Sequence, residues 1–399
     1  MAGFDQIDLD VHLATPGFFR RPDYFEVLRR LRHQDPVHRT ADGLVMISRY
    51  EDVRTISRDP VRFVSGRGVL INDQLRDPDG TGQNAFSILH LDPPLHATYR
   101  GLVNRQFTPR AVVRLEERIR DVVKETLDAV PAGQPIDFVD MVAAPIPIAV
   151  ITEMLGIAVT ERRQFRRWSD AAIESTDFTS DARTEQLVEL ASFLMDHVRS
   201  PEREGDDLLD LLKSVPVGDR PLNQTEIMGF CLTLLIAGNE TTRTLLSGGA
   251  EALARHPGQR AALVADPSLI GGAVEEMLRW VTPIQAFGRT AAIDTEIAGH
   301  GVTAGEFVVM MYASANRDES VFGPTAGTFD VLRPVVPTHL AFGFGEHLCL
   351  GASLARLEAR IFFGELLARF PDYALAGEPT YTASTLVNGA RTMPVSLLG

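Results

Sequence analysis

Apolar residues recur at helical spacing along most of this chain, and the places where that period fails mark its other elements. Segments 21–33 and 50–58 predict two short helices. Between them, the apolar positions at 37–38 and 45–48 flank Ala41-Asp42-Gly43 and predict a hairpin. Segments 108–130, 137–156, 161–175 and 182–199 carry the helical period with polar breaks between them. The longest periodic stretch opens at Asn223, with Glu226 placed for a capping box, and stops at His256-Pro257-Gly258. A helix of about 33 residues spans roughly 50 Å, the width of a whole domain. Short strands are predicted over 290–298, 302–303 and 306–311, and a last amphipathic helix over 352–370. The pattern is mainly α with small β-sheets, an α+β class. No Pro/Ser/Gly-rich linker divides the 399 residues, so a single domain over 1–399 is expected.

Three stretches break the period in ways that suggest chemistry. Segment 64–89 has no periodicity and holds Val69, Leu70, Phe86 and Ile88 among turn-forming residues; a loop of that length in a compact domain is usually a lid or binding loop. Inside the long helix, the apolar run 227–237, which includes Thr233, Ile236 and Ala237, gives way to Gly238-Asn239-Glu240-Thr241-Thr242-Arg243. These residue types disfavour a smooth helix, and the Thr241 hydroxyl can bond back to the Ala237 carbonyl and bend the turn. The third stretch, 341–351, sets three glycines around Cys349 just before a helix start. That position offers free N–H groups and a positive dipole end to lower a thiol pKa.

Phe342-Gly343-x-Gly345-x-His347-x-Cys349-x-Gly351 resembles the haem-ligand loop of the cytochrome P-450 superfamily, the haem-thiolate monooxygenases. An inert buried cysteine is the other reading of such a loop. Further motifs follow in register. His96 and Arg100, four apart, project from one helix face; their spacing suits a carboxylate and equally suits a solvated face. The resemblance assigns them, with Arg289, to the haem propionates. Ala237-Gly238-x-Glu240-Thr241-Thr242 is similar to the family's oxygen-binding element, in which the acid-alcohol pair Glu240 and Thr241 delivers protons. Glu276 and Arg279, at i, i+3, read as an ion pair, and Arg333 joins them by resemblance to a triad that braces the cysteine loop.

The resemblance implies a triangular helical prism with the long helix over haem b (iron protoporphyrin IX) and Cys349 as axial iron ligand. Phe342, His347, Ala237 and Gly238 border the cofactor. The pocket would take in Val69, Leu70, Phe86, Ile88, Thr233, Ile236 and Ile284, with Leu386 and Val387 from a C-terminal turn, under a movable roof formed by 161–175 and 182–199. The reaction implied is hydroxylation of an unactivated C–H bond with O2 and two electrons from a ferredoxin and its NAD(P)H-dependent reductase. The strings Ala237–Arg243 and Val387-Asn388-Gly389 are similar to the actinobacterial branch acting on steroids, branched lipids and terpenoids. Oxidative tailoring of a polyketide or peptide is the alternative, and a haem-thiolate sensor or isomerase a different class.

Composition narrows the rest. A net charge of −14 argues against a nucleic-acid partner, so any basic docking surface is local, with Arg105 and Arg110 as candidates. Two cysteines exclude a disulfide framework and suggest a reducing compartment. Cys231, in an apolar helical run, reads as core. The first twenty residues carry no leader or membrane-anchor pattern, and a cytoplasmic protein is expected. One departure from the family is Glu346, an acid inside the cysteine loop, which is expected to face solvent.

Overall fold

A computed structural model describes residues 11–397 except 77–86, 132, 158–163, 166, 169–170, 172–180, 200–206 and 337. Its axis is the helix Gln224–Arg255. The predicted capping box is present: Asn223 Oδ1 accepts the Glu226 N–H at 2.9 Å, and a Glu226 carboxylate oxygen accepts the Asn223 N–H at 2.7 Å. The helix ends at His256, where Pro257 cannot continue its hydrogen bonding. Helices Pro145–Met154, Asp181–Arg199, Ile270–Val281 and Ala352–Arg369 pack around it. They bury one large core that includes Phe138, Phe230, Leu246, Met277 and Phe362. Cys231 is part of it, and burial pushes its thiol up to about 12.

A five-stranded sheet stands beside the helices in the order Val37–Arg39, Val45–Ile47, Phe307–Met311, Ala286–Ala291, Phe63–Val64. Val45 pairs in parallel with Val308, and Phe307 to Met311 pair antiparallel with Thr290 to Ala286. This register carries Arg289 into the protein interior, where it is buried. The strand starts at Ala286, four residues ahead of the prediction, because Phe287 and Gly288 pair through backbone groups that leave no alternation in the sequence.

Segment 64–89 is not a bare loop. It holds the short helix Ile71–Arg76, and the Asp73 carboxylate accepts the Val69 and Leu70 N–H groups, both at 3.0 Å. A helix this short shows no period in sequence. Segment 108–130 splits into Pro109–Val112, a 3-10 turn and Glu116–Asp128. In segment 137–156 a π-turn over Val139–Ala143 precedes Pro145–Met154, where Pro145 and Pro147 supply no N–H to the helix head. Most of 161–175 lies outside the described residues. Among the described residues, no helix is long and apolar enough to cross a membrane.

Candidate functional site

The cysteine loop is shaped by two glycines in the left-handed region, Gly343 at φ 69° and Gly345 at φ 72°. Gly345 also lies against the helix Tyr50–Ser57, where a Cβ would overlap the Ser57 carbonyl. The Cys349 N–H donates to the Phe342 carbonyl at 2.9 Å and closes the loop, and Ala352–Arg369 begins directly after it. Cys349 is exposed as a residue, while protein atoms crowd the neighbourhood of its thiol. Burial therefore pushes the thiol up, against the opposing pull of the Gly351 N–H and of Arg100 and Arg356. The lowered pKa expected from the helix start is outweighed by desolvation. A metal cation on the sulfur reverses that balance, because a coordinated thiol is deprotonated.

Charged groups hold the loop from behind. The Arg356 guanidinium lies over the Phe342 ring at 4.6 Å and donates twice to Glu275, at 2.7 and 2.9 Å. His339 bonds the same carboxylate at 3.2 Å. Burial works to raise the Glu275 carboxyl, but the His339 and Arg356 hydrogen bonds win and hold it at about 2. The Phe344 ring is flanked by Arg54 and Arg58 at 4.6 and 4.5 Å. Glu346 is exposed, as expected.

Glu276, Arg279 and Arg333 form the predicted triad in near-complete burial. Arg279 grips Glu276 through two hydrogen bonds of 2.7 Å, and Arg333 Nε reaches the same carboxylate at 3.1 Å. The remaining Arg279 donors go to the carbonyls of Asn316, Ala326 and Thr328. Asn316 Oδ1 in turn accepts the Leu340 N–H at 2.6 Å, which carries the chain of contacts to the start of the cysteine loop.

His96, Arg100, Arg289 and His347 converge beside that loop. The two imidazole rings lie 4.0 Å apart. Burial, then Arg289, His96 and Arg100, holds His347 down at about 3; burial, then Arg100, lowers His96. Arg289 is buried, and the hydrogen bond it makes among the described residues runs from Nη1 to its neighbour's carbonyl, Gly288 O, at 2.7 Å. Arg100 Nη2 donates to Leu348 O. Neither arginine is ion-paired to a carboxylate among the described residues. A buried cation such as Arg289 without an ion-paired carboxylate is costly, and with the half-buried Arg100 beside it this cluster fits an anionic ligand; paired haem propionates meet that description. Sequence reasoning missed what holds His347: Ser65 Oγ is 3.2 Å from its Nε2, and Asp92 accepts the Ser65 and Gly66 N–H groups. A partner so far away in sequence leaves no local signal.

The long helix runs unbroken through 238–243, contrary to the expected defect. Thr241 Oγ1 donates to the Ala237 carbonyl at 2.6 Å, the back-bond anticipated from sequence. Ala237 is exposed and Gly238 half-buried. Glu240 is buried and ion-paired to Arg243 at 2.5 Å, a partner whose i, i+3 spacing was visible but not used.

The pocket candidates divide. Backbone contacts gather Val69, Ile284, Leu386 and Val387 into one wall: Ile284 and Val387 form a β-bridge, Gln285 N–H donates to Leu386 O at 2.8 Å, and Gly288 N–H to Val69 O at 2.7 Å. Leu70 follows Val69 at this wall, half-buried. Thr233, on the helix, bonds Ser87 at 3.3 Å, next to the half-buried Ile88. Ile236 instead lines a cavity with Ile148, Ile151, Phe165 and Leu190. Phe86 lies outside the described residues.

A family model described as Cytochrome P450 matches residues 159–372, more than half of the chain. A steroid C26-monooxygenase of Mycolicibacterium smegmatis is 37% identical over 394 residues, covering 97% of this chain and 96% of that one. A vitamin D(3) 25-hydroxylase of Pseudonocardia autotrophica is 40% identical over 377 residues, covering 92% of each. Among solved structures, Mycobacterium marinum cytochrome P450 CYP268A2 in complex with pseudoionone is similar with a TM-score of 0.87 at 34% identity, covering 99% of both chains.

Proposed function

The chain belongs to the cytochrome P450 family and is a haem b monooxygenase, an oxidoreductase; from that premise we propose that it hydroxylates an unactivated C–H bond of a steroid, terpenoid or branched lipid. The observation that carries this reading is the wall of Val69, Ile284, Leu386 and Val387, which backbone bonds hold beside the cation cluster. An apolar wall binds a hydrocarbon skeleton and leaves its orientation to shape. The names of the relatives, a steroid and a vitamin D(3) hydroxylase, point to the same chemistry.

Bound haem supplies an iron that activates O2 and inserts one oxygen atom into a C–H bond. Around it, each residue has a proposed task. Cys349 would hold the haem iron through its sulfur, which the Gly351 N–H orients, in a loop closed by the hydrogen bond from its own N–H to the Phe342 carbonyl. Arg100 and Arg289 would neutralise the propionates, and the uncharged His96 and His347 beside them would hydrogen-bond those carboxylates. Glu276, Arg279 and Arg333 keep the loop in register through Asn316. Thr241, whose Oγ1 bonds the carbonyl of the exposed Ala237, would hold a proton at that hydroxyl for delivery, and Glu240 would be the acid that restores it. The two electrons come from a redox partner, for which we propose a ferredoxin docking near the exposed Arg105 and Arg110.

The test is a visible-absorbance titration of the ferric protein with steroids, vitamin D3, terpenoids, branched fatty acids and macrolactones. A low-spin to high-spin shift with the steroid or lipid members is expected. A shift with macrolactones alone overturns the substrate class in favour of natural-product tailoring.

A further inference from the structure

Gly389 closes the loop that carries Leu386 and Val387, and it is packed directly against the long helix. A Cβ on it would stand 2.6 Å from Thr244 Oγ1, 3.2 Å from Glu240 Oε1 and 3.4 Å from Val387 Cγ1. Its backbone is outside the left-handed region, so lack of space, and not conformation, bars a side chain there. Thr244 and Glu240 stand one turn apart on the helix, each 1% exposed.

Neither partner can easily withdraw. The loop is held by Asn388, whose N–H donates to Pro283 O at 3.0 Å and whose Nδ2 donates to Val281 O at 2.7 Å. Arg20 also reaches into it, bonding Thr382 O at 3.0 Å and Val387 O at 3.3 Å. On the helix side, Glu240 is tied to Arg243. Thr244 Oγ1 makes no hydrogen bond among the described residues, so it acts on Gly389 by volume alone.

We propose that Gly389 is a positioning residue for Glu240. The same loop that presents Leu386 and Val387 to the substrate then bounds the space in which the acid sits, and the pocket wall and the proton path meet at one residue. This inference rests on reading Glu240 as the proton source for Thr241. A methyl group at 389, overlapping Thr244 Oγ1 and so pressed against Glu240 Oε1, obliges the carboxylate to give by a few tenths of an ångström; since misplacement by about 1 Å costs about a hundredfold, about a tenfold loss of proton-delivery rate is expected.

The experiment uses the haem-loaded enzyme with a plant-type ferredoxin, its NADPH-dependent reductase and vitamin D3 as probe. It reads the rate of NADPH oxidation, the solvent deuterium isotope effect on that rate, and the ferrous–carbonyl spectrum. Gly389→Ala is expected to keep the thiolate-haem spectrum, slow NADPH oxidation about tenfold and raise the isotope effect, as Glu240→Gln does. Adding Thr244→Ala, which removes the overlapping atom and no hydrogen bond, restores both readouts to those of Thr244→Ala alone. A wild-type rate and isotope effect in Gly389→Ala, beside a slowed Glu240→Gln, overturns this inference and leaves the proton-relay reading standing. Wild-type behaviour of Glu240→Gln removes that reading and this inference with it. Should Gly389→Ala lose its haem, the double variant decides: restored behaviour supports the proposal, and the same defect in a haem-loaded double variant refutes it.

Discussion

Below the site, around Cys349, the protein invests buried charge; above it, around Ile284 and Val387, it relies on backbone bonds between apolar residues. Phe342 is backed by Arg356, Glu275 and His339, and the triad Glu276, Arg279 and Arg333 reaches Leu340 through Asn316. The upper wall is assembled from three distant segments by a β-bridge and single N–H···O bonds. A directional ion network fixes one geometry and tolerates little substitution. An apolar wall joined through its backbone can change side chains without losing its connections. One side is therefore suited to hold a constant cofactor and the other to choose a variable substrate.

The sharpest break of that division is at Cys349. Cys349→His is expected to abolish NADPH-dependent hydroxylation while haem stays bound to the cation cluster, and the ferrous–carbonyl spectrum should lose its thiolate signature. Retained hydroxylation would remove Cys349 from the axial position and the lower side from its role.

The same contrast explains what could be read from sequence. The lower side is written in contiguous strings, 341–351 and 276–279, because a loop or one helical turn puts those residues together at fixed spacing. Arg333 and Arg289 needed a resemblance, since no local spacing ties them to their partners. The contacts of Ser65 and Asp92 and the tight packing around Gly389 were invisible, because only the fold creates them. In the long helix, Asn223, Glu226 and the Thr241 back-bond were legible as local hydrogen bonding, whereas the expected defect at 238–243 did not form. Propensity argued for a break there, and packing on several helices, with Glu240 tied to Arg243, overrode it. Short helix Ile71–Arg76 escaped for the opposite reason, having too few turns to show a period.

A second, smaller effect separates the two sides by pH. Glu275 titrates at about 2 in the folded protein against an ordinary 4.5, through its bonds to His339 and Arg356. A depressed carboxyl pKa adds stability that is complete above the unfolded value and is lost as pH falls through the folded one. Discounted for partial solvent screening, the contribution is about 2 kcal/mol. Glu275→Gln should therefore unfold at lower urea than wild type near neutrality, with the gap closing as pH drops from 4.5 toward 2. A gap independent of pH would mean that Glu275 supports the loop by packing and not by charge.

The mildest change belongs on the upper wall. Val387 is 2% exposed and bridges Ile284 through its backbone, which Val387→Ala leaves intact. The lost methyl groups amount to about 1–2 kcal/mol of apolar contact, so the Kd of a steroid or vitamin D3 probe, read from its spin-state shift, should rise about five- to thirtyfold. The thiolate-haem spectrum should not move, and the product distribution should broaden as the substrate gains room. If the substitution altered the haem spectrum and left probe affinity unchanged, Val387 would act on the cofactor side and the division of labour drawn between the two walls would fail. A change in affinity alone places the choice of substrate in the loop that Gly389 closes, the loop in which an added Cβ would stand 3.2 Å from Glu240 Oε1.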